Sequence, residues 1–191
     1  TLSTSSGTNR GGLYLDAGAG LLGGAAAGSG RVNVIAATTG VVGNIRPDII
    51  GIDSTGSGLV TSDANGFRLL TSADTALGYF APGASNYLAT ATPAFVTSTG
   101  GTVANAAATS NVFLSAGTSL YGANTVNSLT LKSGGSLTSN GGGLSGLLYS
   151  NAGVFNALTV SSGAIVAQTG NSGITGGAIT AGSTLLYVHA L

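Results

Sequence analysis

Apolar side chains in this chain alternate with small polar ones over short stretches, and glycine ends nearly every stretch. In Val126-Asn-Ser-Leu-Thr-Leu-Lys-Ser-Gly-Gly-Ser-Leu137, Leu129 and Leu131 flank Thr130, the period-two pattern of a half-buried strand. A second copy lies 29 residues on, Phe155-Asn-Ala-Leu-Thr-Val-Ser-Ser-Gly-Ala-Ile-Val166, with Asn127/Asn156, Leu129/Leu158, Thr130/Thr159, Ser133/Ser162 and Gly134/Gly163 identical. A third cluster runs from Ala178 to Leu191 after the turn signals Asn171-Ser-Gly173 and Gly176-Gly177. The N-terminal part predicts further short strands at 12–15, 31–35, 41–42, 49–52, 59–60 and 67–70, separated by Gly, Asp or Asn. Helix is confined to two candidates, 71–77 with Ser72 as cap and 103–108.

Repetition of short strands and Gly-rich corners at this spacing predicts an all-β fold, a right-handed parallel β-helix in which each coil stacks on the last. Alternating aliphatics fill its interior, and Gly, Ser, Asn and Asp suit its corners. The rival, an antiparallel sandwich or barrel, needs hairpin turns at steady 8–12-residue spacing, which a 29-residue repeat does not offer. The organisation predicted is an N-terminal β-helical part over 1–74, a loop-rich insertion or junction over 75–110, and C-terminal β-helical repeats over 111–191, together one continuous solenoid.

Charge sharpens this picture. Only ten of 191 residues are charged, five basic and five Asp, and Lys132 alone lies beyond Asp74. Hydroxyls and amides must therefore solvate the second part. With no basic stripe to neutralise phosphates, nucleic-acid binding is excluded. Disorder is disfavoured too, since 43% of the chain is hydrophobic and the mean hydropathy is +0.45. No apolar run approaches the ~18 residues of a membrane-spanning helix, so direct membrane insertion is not expected. Cysteine is absent, which removes disulfide frameworks and thiolate metal sites and suits a secreted bacterial product. The start at Thr1 without a signal-peptide pattern reads as a processed piece.

The same residues carry a family resemblance. The segments 125–137, 158–166 and 173–189 resemble large bacterial proteins with autotransporter-associated β-strand repeats. Independently, Val42-Gly-Asn-Ile-Arg-Pro47 followed by Leu59-Val-Thr-Ser-Asp-Ala-Asn-Gly-Phe-Arg-Leu-Leu70 is similar to a segment of those proteins in which Gly-x-Ile-x-Pro precedes a strand, an Asn-Gly turn and an Arg-containing strand. The resemblance covers about 40–70 and 111–189 and implies secretion and a β-helical passenger. A C-terminal membrane β-domain and the Lys-x-Gly-x-Gly-x-Leu type of repeat are missing from the chain.

Candidate chemistry is sparse. Catalysis by carboxylates needs grouped acids, whereas Asp16, Asp48, Asp53, Asp63 and Asp74 are scattered and there is no Glu. Asp48 and Asp53, with Arg46 or Arg68 as partners, read as turn caps and salt links. Asp63-Ala-Asn65-Gly66 has the opening spacing of a calcium loop without its later ligands, so a tight turn is predicted there. His189, the only histidine, alternates with Tyr187 in a terminal strand and reads as a packing residue. No catalytic, cofactor or metal residue is assigned. Tyr79, Phe80 and Tyr87 crowd the irregular middle and are the candidate contacts for a partner or surface glycan. No regular Thr-x-Thr file is visible, which argues against an ice-binding face.

The sequence thus predicts a structural, non-enzymatic extracellular protein of a bacterial surface, either a passenger or adhesin stalk or a self-assembling filament subunit. Its expected partners are copies of itself or further repeats of the same polypeptide. Leu185, Tyr187, His189 and Leu191 form the candidate head-to-tail edge, because an uncapped strand is a template for addition. The alternative from another class is a carbohydrate-binding or carbohydrate-cleaving β-helix such as a phage fibre segment.

Overall fold

The computed structural model describes residues 12–24, 29–32, 45–83, 87–89, 103–138, 157–170, 173–182 and 185–191, which fall into two units, Thr1–Leu70 and Thr71–Leu191. Both are built of strands, and a single 3-10 turn at Thr75–Leu77 is the one helical element among the described residues.

In the first unit, aspartates close the turns. Strands β1 (Leu13–Asp16), β2 (Arg46–Asp53), β3 (Gly56–Asp63) and β4 (Gly66–Leu69) form one sheet in that order. Strand β1 runs parallel to β2, while β2, β3 and β4 are antiparallel neighbours. Asp53 Oδ1 accepts from the backbone N–H of Thr55 at 2.8 Å, and Asp63 Oδ1 from that of Asn65 at 2.7 Å. Each carboxylate thus substitutes for a backbone acceptor and folds the chain back within two residues. The turn at 63–66 pivots on Ala64-Asn65, and Gly66, at φ 100°, opens β4 in a conformation that side chains disfavour.

Over 46–69 these hairpins stand where β-helical coils are expected. A coil needs each strand to leave the sheet at a corner, and an Asp-closed turn returns it beside its own predecessor instead. The expected strands over 49–52, 59–60 and 67–70 are present inside β2, β3 and at β4, whereas 33–35 and 41–42 lie outside the described residues. Leu15, Leu22, Ile49, Val60 and Phe67 form a buried cluster. Ile50 and Leu59, on the other side of the sheet, are buried as well, which explains why these strands read as apolar runs without clean alternation.

In the second unit every strand pairing among the described residues is parallel. Strands β5 (Tyr79–Phe80), β8 (Asn111–Leu114), β10 (Ala123–Leu131), β12 (Ala157–Ala167) and β14 (Ala178–Ala181) form one sheet, with β15 (Tyr187–Ala190) also paired to β12. The other sheet has the order β13 (Gly173–Thr175), β11 (Ser136–Thr138), β9 (Gly117–Leu120), β6 (Tyr87–Ala89), β7 (Val103–Asn105). Long strand β10 pairs with β8 and β12, and β12 pairs with β10, β14 and β15. Their first arms, 123–126 and 157–160, lie beside β14. After a register shift between Val126 and Ser128, the second arms, 128–131 and 164–167, lie between β8 and β15.

In-register parallel stacking aligns side chains into columns. Val112, Leu129 and Ile165 form one, and Leu114 lies opposite Leu131 in the next. Together with Leu88, Leu120, Val126, Leu137, Leu158 and Val160 they make a single core, nearly all of it fully buried. Each such aliphatic contributes about 1.5–3 kcal/mol relative to an exposed one.

The 29-residue repeat is not the structural register. Leu129 lies opposite Ile165, and Leu158 lies opposite Asn124. The two copies share a strand pattern but occupy different arms, Leu129 in the second arm of β10 and Leu158 in the first arm of β12. Register follows which residues the core buries, and the 18 residues between β11 and β12 displace that match along the chain. The middle segment 75–110 supplies β5, β6 and β7, so part of it is sheet. Of the helix candidates, 103–108 contains β7, since Val103 and Ala104 extend beside Tyr87 and Leu88. The other is reduced to the 3-10 turn. There Asp74, not Ser72, holds the local chain, its Oδ2 accepting from the Thr71 N–H and hydroxyl at 2.7 and 3.1 Å.

A polar ladder runs through the buried corner between rows. Asn111 Nδ2 donates to the Leu77 carbonyl at 2.8 Å, and its Oδ1 accepts from Asn127 Nδ2 and Ser128 Oγ at 2.8 and 2.7 Å. Ser162 Oγ continues it, donating to the Asn127 carbonyl at 2.6 Å. All four side chains are under a tenth exposed.

Candidate functional site

The carboxylates are committed to structure. Asp16, Asp53 and Asp63 each accept from the N–H two residues ahead. Asp53 also receives the Thr55 hydroxyl at 2.6 Å and the Leu22 N–H at 3.1 Å. Burial alone would raise its pKa, but hydrogen bonds from the Thr55 hydroxyl and from the N–H groups of Thr55, Leu22 and Gly56 outweigh that and hold it below the usual carboxylate range. Asp48 forms a two-pronged pair with Arg46, Nε–Oδ1 2.9 Å and Nη2–Oδ2 2.7 Å, about a tenth exposed on both sides. Their positions two apart on β2 put both on one face. Asp63 takes Arg68 Nε at 2.8 Å in a more open pair. Among the described residues no three His or Asp side chains gather as metal ligands would.

The aromatic candidates separate. Tyr79 and Phe80 are consecutive in β5 and point to opposite sides of it. Phe80 packs against the core, while Tyr79 stacks on Phe113 with ring centroids 4.3 Å apart. Tyr87 lies in β6, opposite Val103 and Ser119. Two residues not among the sequence candidates for this site complete the Tyr79 cluster: Phe113, and Lys132, whose Nζ sits 5.5 Å from the Phe113 ring centroid. Lys132 being the sole charge after Asp74 was the available signal.

The first arms carry small side chains in file on their other face. Thr125, Thr159 and Thr180 are in register, as are Ala123, Ala157 and Ala178. Each row reads Ala-x-Thr, so the threonine file is single and no Thr-x-Thr lattice forms.

The last row, β14 and β15, is where the candidate assembly edge lies. His189 is 5% exposed and stacks on Tyr187, 6.5 Å between centroids and 4° between planes. His189 continues the column of Phe113, Thr130 and Val166, and Val188 continues the core column of Val112, Leu129 and Ile165. Leu186 and Val188, 43% and 64% exposed, are therefore the apolar side chains this edge presents. Leu185, Tyr187, His189 and Leu191 have the opposite parity. The Leu191 carbonyl accepts from the Thr169 hydroxyl at 2.8 Å, tying the strand's end to the preceding row. Alternation alone could not tell which parity faced the core.

Comparison with protein-family models, with curated proteins and with solved structures finds no match to the chain.

Proposed function

We propose that Thr71–Leu191 is a stretch of right-handed parallel β-helix, and that the protein is a structural, non-enzymatic component of a bacterial cell surface. It acts there as a passenger or adhesin stalk or as a subunit that associates with its own kind. The observation that carries this reading is the parallel, in-register stacking of row on row around one apolar column, Val112, Leu129, Ile165 and Val188. A stack of this kind is stiff and extends by adding rows, which is what a stalk requires. The commitment of the described carboxylates to turns and ion pairs supports a role without acid–base catalysis. The resemblance of 125–137, 158–166 and 173–189 to autotransporter-associated repeats supports secretion. The glycan-binding alternative draws less support, because Phe80 belongs to the core.

Two measurements test the reading. The chain has no cysteine, so paired cysteines report register cleanly. In-register neighbours ~4.8 Å apart fall within disulfide reach. The double variant Thr125→Cys/Thr159→Cys is expected to cross-link within one chain, and Thr130→Cys/Thr159→Cys, matched by the 29-residue repeat, is expected not to. The reverse pattern sinks the coil. For location, antibody against the chain is expected to label intact cells of the source bacterium. Labelling only after lysis removes the surface role.

A further inference from the structure

Lys132 is a cation for which its own part of the chain supplies no anion. From 75 to 191 there is no Asp or Glu. Asp74, the nearest acid in the sequence, is buried and accepts from the Thr71 N–H and hydroxyl. The two ion pairs among the described residues, Arg46–Asp48 and Arg68–Asp63, belong to the first unit.

A lysine kept only for solubility has no reason to be held in one place, and Lys132 is held. Strand β8 lies between β5 and β10. From the β5 side Tyr79 stacks on Phe113, 4.3 Å between centroids and 22° between planes. From the β10 side the Lys132 ammonium lies over the same ring, 5.5 Å from its centroid. Phe113, on the face of β8 opposite the core residues Val112 and Leu114, is left 6% exposed between them. Tyr79 and Lys132 remain half-buried. The cation–π attraction, about 0.5–1 kcal/mol where water has access, restricts the lysine stem before any ligand arrives, which lowers the ordering cost of binding. Hydroxyls flank the ammonium's strand. The Lys132 N–H donates to the Leu114 carbonyl, so Ser115 lies beside Lys132 in the next row, and Ser133 follows it in the chain; both are exposed.

We propose that Lys132, Tyr79 and Ser115, arranged around Phe113, form a contact for an acidic sugar, a saccharide unit that carries a carboxylate. One ammonium matches the single charge of a carboxylate. A phosphate brings nearly two charges and three acceptor oxygens and calls for several cationic donors, whereas Lys132 stands alone. Serine and tyrosine hydroxyls both donate and accept, as the hydroxyls of a sugar do. Of the aromatic trio that the sequence suggested only Tyr79 belongs to this contact. The site rests on the adhesin reading for where such a sugar is met, and it gives that reading a ligand class. With one charge-assisted bond and a few neutral ones, affinity is expected near ~1 mM and is expected to weaken as salt is raised.

Saturation-transfer NMR titrations of the 191-residue chain with galacturonic-acid oligomers, sialylated lactose, neutral lactose and polyglutamate test this. Both acidic sugars are expected to bind, and lactose and polyglutamate to bind roughly tenfold more weakly or not at all. Lys132→Gln should weaken the acidic sugars by roughly tenfold while leaving circular dichroism and the urea midpoint unchanged. Lys132→Arg, which keeps the charge and the ring contact, should retain them, and Tyr79→Phe, which keeps the stack and removes only the hydroxyl, should weaken them less than Lys132→Gln does. Silence from both acidic sugars, lactose bound as well as they are, polyglutamate bound as well as they are, or an affinity that Lys132→Gln or added salt leaves unchanged would each overturn the proposal. Cell-surface labelling separates the two levels: labelled intact cells without acidic-sugar binding keep the stalk and remove the site, and sugar binding with labelling only after lysis keeps the site and removes the adhesin role.

Discussion

Replacing Asn111 should be among the most damaging single changes in the second unit, although it removes no aliphatic side chain. Asn111 is 0% exposed and makes three hydrogen bonds, to the Leu77 carbonyl, Asn127 Nδ2 and Ser128 Oγ. Alanine removes all three bonds. A buried group deprived of its partner costs about 1–3 kcal/mol. The Ser128 hydroxyl can rotate to another acceptor, so the expected total is about 3–5 kcal/mol. Against a typical domain stability of about 5–15 kcal/mol, that is a third or more. Asn111→Leu restores the volume but not the bonds and should lose about as much, which separates the polar from the packing contribution. Urea unfolding followed by tyrosine emission is the assay: there is no Trp, and five of the six tyrosines lie in Thr71–Leu191. A midpoint shift worth less than about 1 kcal/mol in both variants would show that the ladder does not hold the rows together.

Three further outcomes are expected. Gly135→Ala should cost about 3 kcal/mol, because a Cβ there overlaps the Leu114 carbonyl oxygen and lies 2.9 Å from that of Lys132, both backbone atoms that cannot step aside; an unchanged melting curve would show the turn to be looser than described. Asp48→Asn should cost about 3 kcal/mol by leaving Arg46 buried without its counter-charge, and Asp63→Asn less than about 1 kcal/mol at its more open site; equal losses in urea titrations would refute that ordering. Because the Asp53 pKa is lowered in the fold, its stabilisation is present above the unfolded value near ~3.9 and is lost as pH falls through the folded one. Stability measured from pH 5 downward should therefore fall less steeply in Asp53→Asn, and identical slopes would contradict the hydrogen bonds assigned to that carboxylate.

How much of this was legible in the chain varied with the range of the forces involved. The strands over 126–131 and 178–190 follow from alternation and glycine, which act within a few residues. The turn at Asp63 was equally readable, since its hydrogen bond spans two positions. The pairing of Leu129 with Ile165 was not, because like strand patterns at 129 and 158 suggested a register that burial overruled. The assembly edge shows the same limit. Period-two alternation divides 185–191 into two sets, and only the neighbour in β12 decides that Val188 belongs with the core and His189 with the opposite face.

By itself, then, the sequence determined that the chain is built of short strands with small-residue corners, that only ten of its residues are charged, and that its acids serve turns and ion pairs. Those properties are local or compositional, and no partner strand is needed to state them. The tertiary structure decided that 46–69 folds as antiparallel hairpins while the described strands between Tyr79 and Ala190 pair in parallel, and which rows face each other. The parallel rows depend on contacts between residues 16 to 37 positions apart, and over such distances it is the shared burial of a column, not any single residue's preference, that selects the arrangement.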